Sequence, residues 1–199
     1  LPVDTAQALA LARKRDYRLK GRARLAIDAC RPMRHAIEIR HESFRDERFI
    51  ELLRRYNIAL VIAETAQRWP MMHDITAEFV YMRLHGDKTL YQSGYSDRAL
   101  ERWAEKISAW HAGREPSAAE KISRSKAPIS RSRDIYCYFD NTDVKLRAPV
   151  DAQTLMRKLG MEPGKPPVHD WARARSERPQ RASIAAIRAG KSRMSANVR

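Results

Sequence analysis

An arginine and a histidine close a strand-like run in this chain of 199 residues. Residues 79–86 read FVYMRLHG and end in an Arg-x-His-Gly pattern formed by Arg83 and His85. Arginine recognises phosphate and carboxylate groups through a planar, bidentate fork. Histidine has an unperturbed pKa of about 6.5, which suits general acid–base catalysis near neutral pH. The pattern therefore predicts a site that binds an anionic group and moves a proton.

Two glutamates, one within and one directly after other strand-like runs, could assist the histidine. Glu38 lies in AIEIRH, and Glu64 closes the apolar run IALVIA. We predict His85, Glu38 and Glu64 as catalytic residues, with a glutamate orienting the histidine or acting as the base. The predicted substrate-binding residues are Arg83, Arg40, His41, Asn141 and Tyr91.

Structural roles are open for all of these residues. A buried arginine must be paired, so Glu38, Arg40 and Arg83 could form a salt-bridge layer inside the fold, as charged side chains can in the interior of a (β/α) barrel. His41 could cap a loop, Asn141 could form a turn, and the tyrosine could pack its loop over the barrel mouth. The chain contains no His-x-x-x-His or Cys-x-x-Cys spacing, so we predict no metal and no cofactor.

Alternating helix and strand signals must position these side chains. The periodicity predicts helices over 5–17, 25–29, 45–56, 97–111 and 151–159, and strands over 36–41, 58–63, 79–85 and 135–139. Ser43 and Ser96 are the expected N-caps of the third and fourth helices. Strands that alternate with helices form a parallel sheet covered by helices, so the expected fold class is α/β. Sites in such folds lie where the strands end.

The chain divides into a folded part, residues 1–160, and a basic tail, residues 161–199, that we expect to be disordered. Residues 112–133 interrupt the folded part and are predicted to form an exposed insertion. The net charge is +15. The basic insertion and tail could bind nucleic acid through its phosphates, or the charge could simply reflect an arginine-rich solvated surface.

No run of about 18 apolar residues occurs, so we predict no membrane span. The first residues lack the features of a secretory signal, and the chain does not begin with Met, which would fit a fragment of a longer protein. Cys30 and Cys137 match no disulfide or metal spacing. We expect both to be reduced thiols in or near the core of a cytoplasmic protein.

Four blocks of the sequence resemble the YecE-like family, also called domain of unknown function 72. In chain order they read RHAIEIRHESF, TAEFVYMRLHG, YSDRALERWAEKISAW and IYCYFDNT. Three positions depart from the family pattern: residues 41–44 read HESF rather than His-Pro-Ser-Trp, Glu64 stands where Asp is common, and Asp140 replaces the first Asn of an Asn-Asn pair. The polar character of each position is kept.

The resemblance implies a TIM-barrel-like fold of which this chain carries the last four strands. A second copy of the chain or a separate N-terminal half could then complete the barrel. The resemblance implies no reaction, so whether the protein is an enzyme stays open. The polar cluster suits a hydrolase or lyase acting on an anionic small molecule or phosphodiester. The alternatives are a non-catalytic protein that binds nucleic acid or another polyanion, and an inactive truncated half barrel.

Overall fold

Four parallel strands form the sheet. A computed structural model describes residues 1–23, 25–117, 119–141 and 146–164 of the chain. The strands are β1 (His35–Ile37), β2 (Ile58–Glu64), β3 (Phe79–Leu84) and β4 (Asp134–Phe139). They lie side by side in the order β1-β2-β3-β4, and every neighbouring pair is parallel. The predicted α/β class is therefore confirmed.

In the described part of the chain, four helices accompany these strands, and all but the first pack against the sheet. They are α1 (Thr5–Arg13), α2 (Glu47–Arg55), α3 (Asp97–His111) and α4 (Arg147–Lys158), with short 3-10 turns at Tyr17–Leu19 and Glu42–Phe44. Ser96 caps α3 as predicted, because its hydroxyl accepts a hydrogen bond from the Ala99 N–H at 3.2 Å. Among the described residues, no helix is both long and apolar enough to cross a membrane.

The main core lies between the sheet and α3. Val80, Met82 and Leu84 of β3 point to this side, which we call the outer face, and they pack with Leu100 and Trp103 of α3. Burying such a side chain contributes about 1.5–3 kcal/mol before the loss of conformational entropy is counted. The opposite side of the sheet, here called the inner face, carries the alternate residues of β3.

Several predicted element boundaries are wrong. No helix forms over residues 25–29, and the end of this stretch is instead tied to the start of α1, since the Thr5 hydroxyl donates to the Ala29 carbonyl and the Thr5 N–H donates to the Arg31 carbonyl. The first helix ends at Arg13 rather than near residue 17, and α4 begins at Arg147 rather than at residue 151. The strand predicted over 36–41 is limited to His35–Ile37, since only these residues pair with β2.

The predicted N-cap of α2 is also wrong. Ser43 lies in a 3-10 turn, and Asp46 caps the helix by accepting a hydrogen bond from the Arg48 N–H at 2.8 Å. Cys137 is partly buried on the outer face, where burial raises the pKa of its thiol to about 12. Cys30 is exposed, so the expectation of a near-core position fails for this thiol.

The predicted exposed insertion, residues 112–133, is partly docked. No helix or strand forms in its described residues, but Ser123 and Arg133 are buried. The buried carboxylate of Asp74 accepts hydrogen bonds from the N–H groups of Ile122 and Ser123 at 2.8 and 2.9 Å. A buried carboxylate needs such partners, and these bonds draw the segment onto the core. The tail beyond Gly164 lies outside the described residues, and its proposed disorder stays a prediction.

Candidate functional site

Arg83 lies near the end of β3 and links residues that follow β1 and β4. Its Nε donates to Asp140 Oδ2 at 2.8 Å, and its Nη2 lies 2.7 Å from the same oxygen. Its Nη1 donates to Glu38 Oε2. Asp140 follows β4 and Glu38 follows β1, so one guanidinium ties together residues that are 102 positions apart in the chain.

Glu38 also forms a salt bridge with a second arginine. Arg40 Nε donates to Glu38 Oε1 at 2.9 Å, and the Arg40 guanidinium stacks 4.4 Å from the centre of the Trp69 ring. Burial favours a raised pKa for Glu38, but the hydrogen bonds from Arg83 and Arg40 outweigh it and lower the pKa. Glu38 is therefore ionised and paired with two arginines, which makes it a poor general base. The Arg40 side chain remains 53% exposed.

His85 is completely buried beside this cluster. Neither ring nitrogen has a hydrogen-bond partner within the described part of the chain, and Nδ1 lies 3.7 Å from Asp140 Oδ2. Burial and the neighbouring Arg83 charge lower the pKa of His85. The imidazole is therefore neutral at neutral pH and able to accept a proton.

A tight loop covers His85. Tyr91 has a positive φ of 62° and places its ring edge-on to the imidazole, with centroids 5.2 Å apart. Its N–H donates to the His85 carbonyl at 2.6 Å. The loop starts at Gly86, whose φ of 118° favours glycine, and an added Cβ would lie 2.6 Å from the Thr89 carbonyl oxygen.

Glu64 is not part of this cluster. It shares the outer face with Ile62, and its Oε2 accepts a hydrogen bond from Trp103 Nε1 at 2.8 Å. Burial raises the pKa of this carboxyl group. Glu64 lines a separate hollow of about 480 Å³ together with Trp69 and Asp87. Only its backbone touches the cluster, by accepting a hydrogen bond from the His85 N–H at 2.9 Å.

Two further predicted site residues, Asn141 and His41, form hydrogen bonds within the fold. The Asn141 amide, which is fully buried, donates to Asp151 Oδ2 at 2.8 Å and to the Ser93 carbonyl at 3.2 Å. It thereby anchors the end of β4 to α4 and to the loop that carries Tyr91. His41 is exposed, and its Nδ1 accepts a hydrogen bond from the Ser43 N–H at 3.2 Å. The geometry brings neither side chain into contact with Arg83.

Aromatic residues that sequence analysis did not assign to the site line the inner face. The open pocket there has a volume of about 700 Å³. Its aromatic lining is Phe79, Tyr81, Tyr136 and Tyr138, and its charged lining is Arg34, Glu38, Arg83 and Asp140. The sequence pattern that could have indicated this lining is the spacing of Tyr81 and Arg83, which lie two positions apart in β3 and so share a face. Among the described residues, no group of three or more His, Cys, Asp or Glu side chains could hold a metal ion.

Comparison with known proteins places this chain in a family. The family model described as "Protein of unknown function DUF72" matches residues 10–177. A search of curated proteins gives no significant match.

Solved structures with a similar fold include a DUF72 family protein from Thermotoga maritima, with 23% identity and a TM-score of 0.50 over 65% of this chain and 47% of that one. A DUF72 family protein from Enterococcus faecalis, with 16% identity and a TM-score of 0.49, matches over 67% of this chain and 50% of that one.

The chain thus spans about half the length of the solved relatives that it matches. The parallel sheet with outer helices agrees with the TIM-barrel-like fold that the sequence motifs implied. The match to the family model covers most of the chain, from the end of α1 to beyond α4. This protein belongs to the DUF72 family, the YecE-like family whose function is unknown.

Proposed function

We propose that the edge where the strands end binds a small anionic substrate and that His85 transfers a proton to or from it. The reaction class would be a hydrolysis or elimination on a phosphate or carboxylate compound. The observation that supports this most is the buried His85 imidazole, which has no hydrogen-bond partner among the described residues. A buried polar group without a partner costs roughly 1–3 kcal/mol, so its retention favours a role in binding or proton transfer.

Arg40, rather than Arg83, is the better anion-binding group. Arg83 is held by two carboxylates, Glu38 and Asp140, whose charges oppose the approach of an anion. Arg40 makes one hydrogen bond through Nε within the described residues and keeps more than half of its side chain exposed. Its other guanidinium nitrogens are free to take one edge of a phosphate. Arg83 would then orient Asp140 beside the histidine.

The proton-transfer role rests on charge and distance. Because the pKa of His85 is lowered, the imidazole starts neutral and acts first as a base. Asp140 lies 3.7 Å from Nδ1, close enough to stabilise the imidazolium that forms after proton uptake. Tyr91 covers the ring, so the loop of residues 86–95 would have to open to admit a substrate. Glu64 has no part in this step, since its side chain is on the outer face.

The test combines binding and turnover by the full chain. Inorganic phosphate is titrated by calorimetry, and hydrolysis of p-nitrophenyl phosphate and bis(p-nitrophenyl) phosphate is followed by absorbance. We expect Arg40→Ala to weaken phosphate binding roughly tenfold, as the loss of a charge-assisted hydrogen bond implies. Arg45→Ala, which removes an exposed arginine paired with Glu42, is the matched control and should leave binding unchanged.

His85→Gln separates the proposal from a purely structural role. If His85 transfers the proton, this variant keeps phosphate binding and its melting temperature but loses turnover. If the wild-type chain binds no phosphate and turns over neither ester, the proposal fails. It also fails if His85→Gln lowers stability while turnover per folded molecule stays the same.

A further inference from the structure

A basic segment, residues 13–22, projects its charges into solvent. It contains six cationic residues: Arg13, Lys14, Arg15, Arg18, Lys20 and Arg22. Its one acidic residue, Asp16, accepts a hydrogen bond from the Arg18 N–H at 3.0 Å. Six cations less one anion give the segment a charge of +5. All ten residues are exposed, so this charge faces solvent.

Apolar and aromatic side chains are exposed among these cations. Tyr17 is 81% exposed and Leu19 is 48% exposed. The Arg18 guanidinium lies 5.9 Å from the centre of the Tyr17 ring, near the outer limit for a cation–π contact. The preceding helix, α1, buries none of its residues and so does not cover the segment. The ring of Tyr17 contributes little to folding and is available to a partner.

The insertion predicted to bind polyanions is less free to do so. Its Lys121 ammonium lies 3.0 Å from Glu115 Oε1, and Arg133 is buried with its guanidinium turned to backbone carbonyls. Arg124, Lys126 and Arg131 remain exposed but carry no exposed aromatic residue between them. Charge and an exposed aromatic ring therefore coincide at the basic segment.

We propose that residues 13–22 bind single-stranded nucleic acid. The cations would contact successive phosphates, and the Tyr17 ring would stack on an unpaired base. A duplex would offer its phosphates but no free base face to the tyrosine. Apart from Arg13, which ends α1, the only helical part of the segment is the 3-10 turn Tyr17–Leu19, which is too short to enter a groove as a recognition helix. This binding is separate from the site at Arg40 and His85.

The test measures fluorescence anisotropy of a labelled single-stranded oligouridylate with the full chain over a series of salt concentrations. One variant carries Lys14→Ala, Arg15→Ala and Lys20→Ala. The matched control carries Arg124→Ala, Lys126→Ala and Arg131→Ala, which removes the same charge from the insertion. We expect the first variant, but not the control, to flatten the slope of log affinity against log salt by about 2, near 0.7 for each lost phosphate contact.

Tyr17→Ala tests the stacking contact and should weaken binding roughly tenfold at constant salt. Because these side chains are exposed, all variants should keep the wild-type melting temperature. Equal losses in the two triple variants would overturn the proposal, as would an unaffected Tyr17→Ala variant. Binding that is as tight to duplex DNA, heparin or anionic phospholipid vesicles would also overturn it, because those partners offer charge without an unpaired base.

Discussion

Arg83 Nη2 lies 2.7 Å from Asp140 Oδ2 and so joins the ends of β3 and β4, while the same guanidinium also binds Glu38. Two carboxylates share one arginine, and Arg40 adds a second positive charge. The cluster is therefore close to neutral. Arg83 organises the carboxylates, and the more exposed Arg40 is the group that we propose to meet an anion.

Replacing Arg83 should destabilise the sheet. In Arg83→Met the carboxylates of Glu38 and Asp140 lose the cation between them, and we expect a loss of about 2 kcal/mol, less than for a fully buried pair because the arginine is partly exposed. Urea unfolding measures this. Arg45→Met breaks a surface pair with Glu42 and should cost less than about 1 kcal/mol. Equal effects of the two variants would refute an organising role for Arg83.

Replacing Gly86 should disrupt the loop that covers His85. Gly86→Ala combines a left-handed backbone with a Cβ placed 2.6 Å from the Thr89 carbonyl oxygen, so we expect a loss of roughly 2–3 kcal/mol. Gly160→Ala has a φ of 70° but no atom within 4 Å of the added Cβ. It should cost only about 1 kcal/mol. Similar melting temperatures for the two variants would show that the loop is not constrained by this contact.

His73 should make the protein sensitive to acid. It is buried beside Trp103 and Trp110, and burial lowers its pKa to about 4. The unfolded chain therefore binds the proton more tightly, so stability is complete above about pH 6.5 and falls as the pH drops towards 4. The loss should reach roughly 3 kcal/mol.

His73→Asn tests this, because an amide oxygen can replace Nδ1 as acceptor of the Glu120 N–H. The variant should show a flatter fall of unfolding free energy between neutral and acidic pH. His41→Asn, at an exposed histidine, should leave the wild-type curve in place. A wild-type curve that is already flat over this range would contradict the prediction.

Glu64 should be dispensable for anion binding. In Glu64→Gln an oxygen acceptor remains for Trp103 Nε1, while the desolvated carboxylate is removed. Because the folded-state pKa of Glu64 is raised, its ionisation weakens the fold as pH rises above the ordinary value near 4.5. The variant should therefore be at least as stable as the wild type at neutral pH and bind phosphate equally well by calorimetry. Loss of phosphate binding in Glu64→Gln would contradict this prediction and would show that the Glu64 carboxylate takes part in anion binding.

The alternating pattern of β3 predicted much of this arrangement. Tyr81 and Arg83 fall on one face and Met82 on the other, as period-2 parity requires. Glu38 reached the same face for the same reason. The sequence alone could not show that Arg83 also binds Asp140, because that contact depends on how β3 and β4 pair.

Other features were hidden for physical reasons. The run IALVIA is apolar on both faces, so it could not reveal that Glu64 turns outward to Trp103. His73 lies in a stretch without periodicity, and its burial depends on the docked segment that includes Glu120. Such contacts join residues far apart in the chain and leave no local signal.

The protonation state of His85 during anion binding tests the central claim most directly. Long-range proton–nitrogen correlation spectra of the histidine rings, recorded at neutral pH during a titration with inorganic phosphate, report it. Our account predicts a neutral His85 ring whose nitrogen shifts move as phosphate binds to the wild type and need roughly tenfold more phosphate to move in Arg40→Ala. A ring that is already cationic without phosphate, or one that does not respond to phosphate in the wild type, would contradict it.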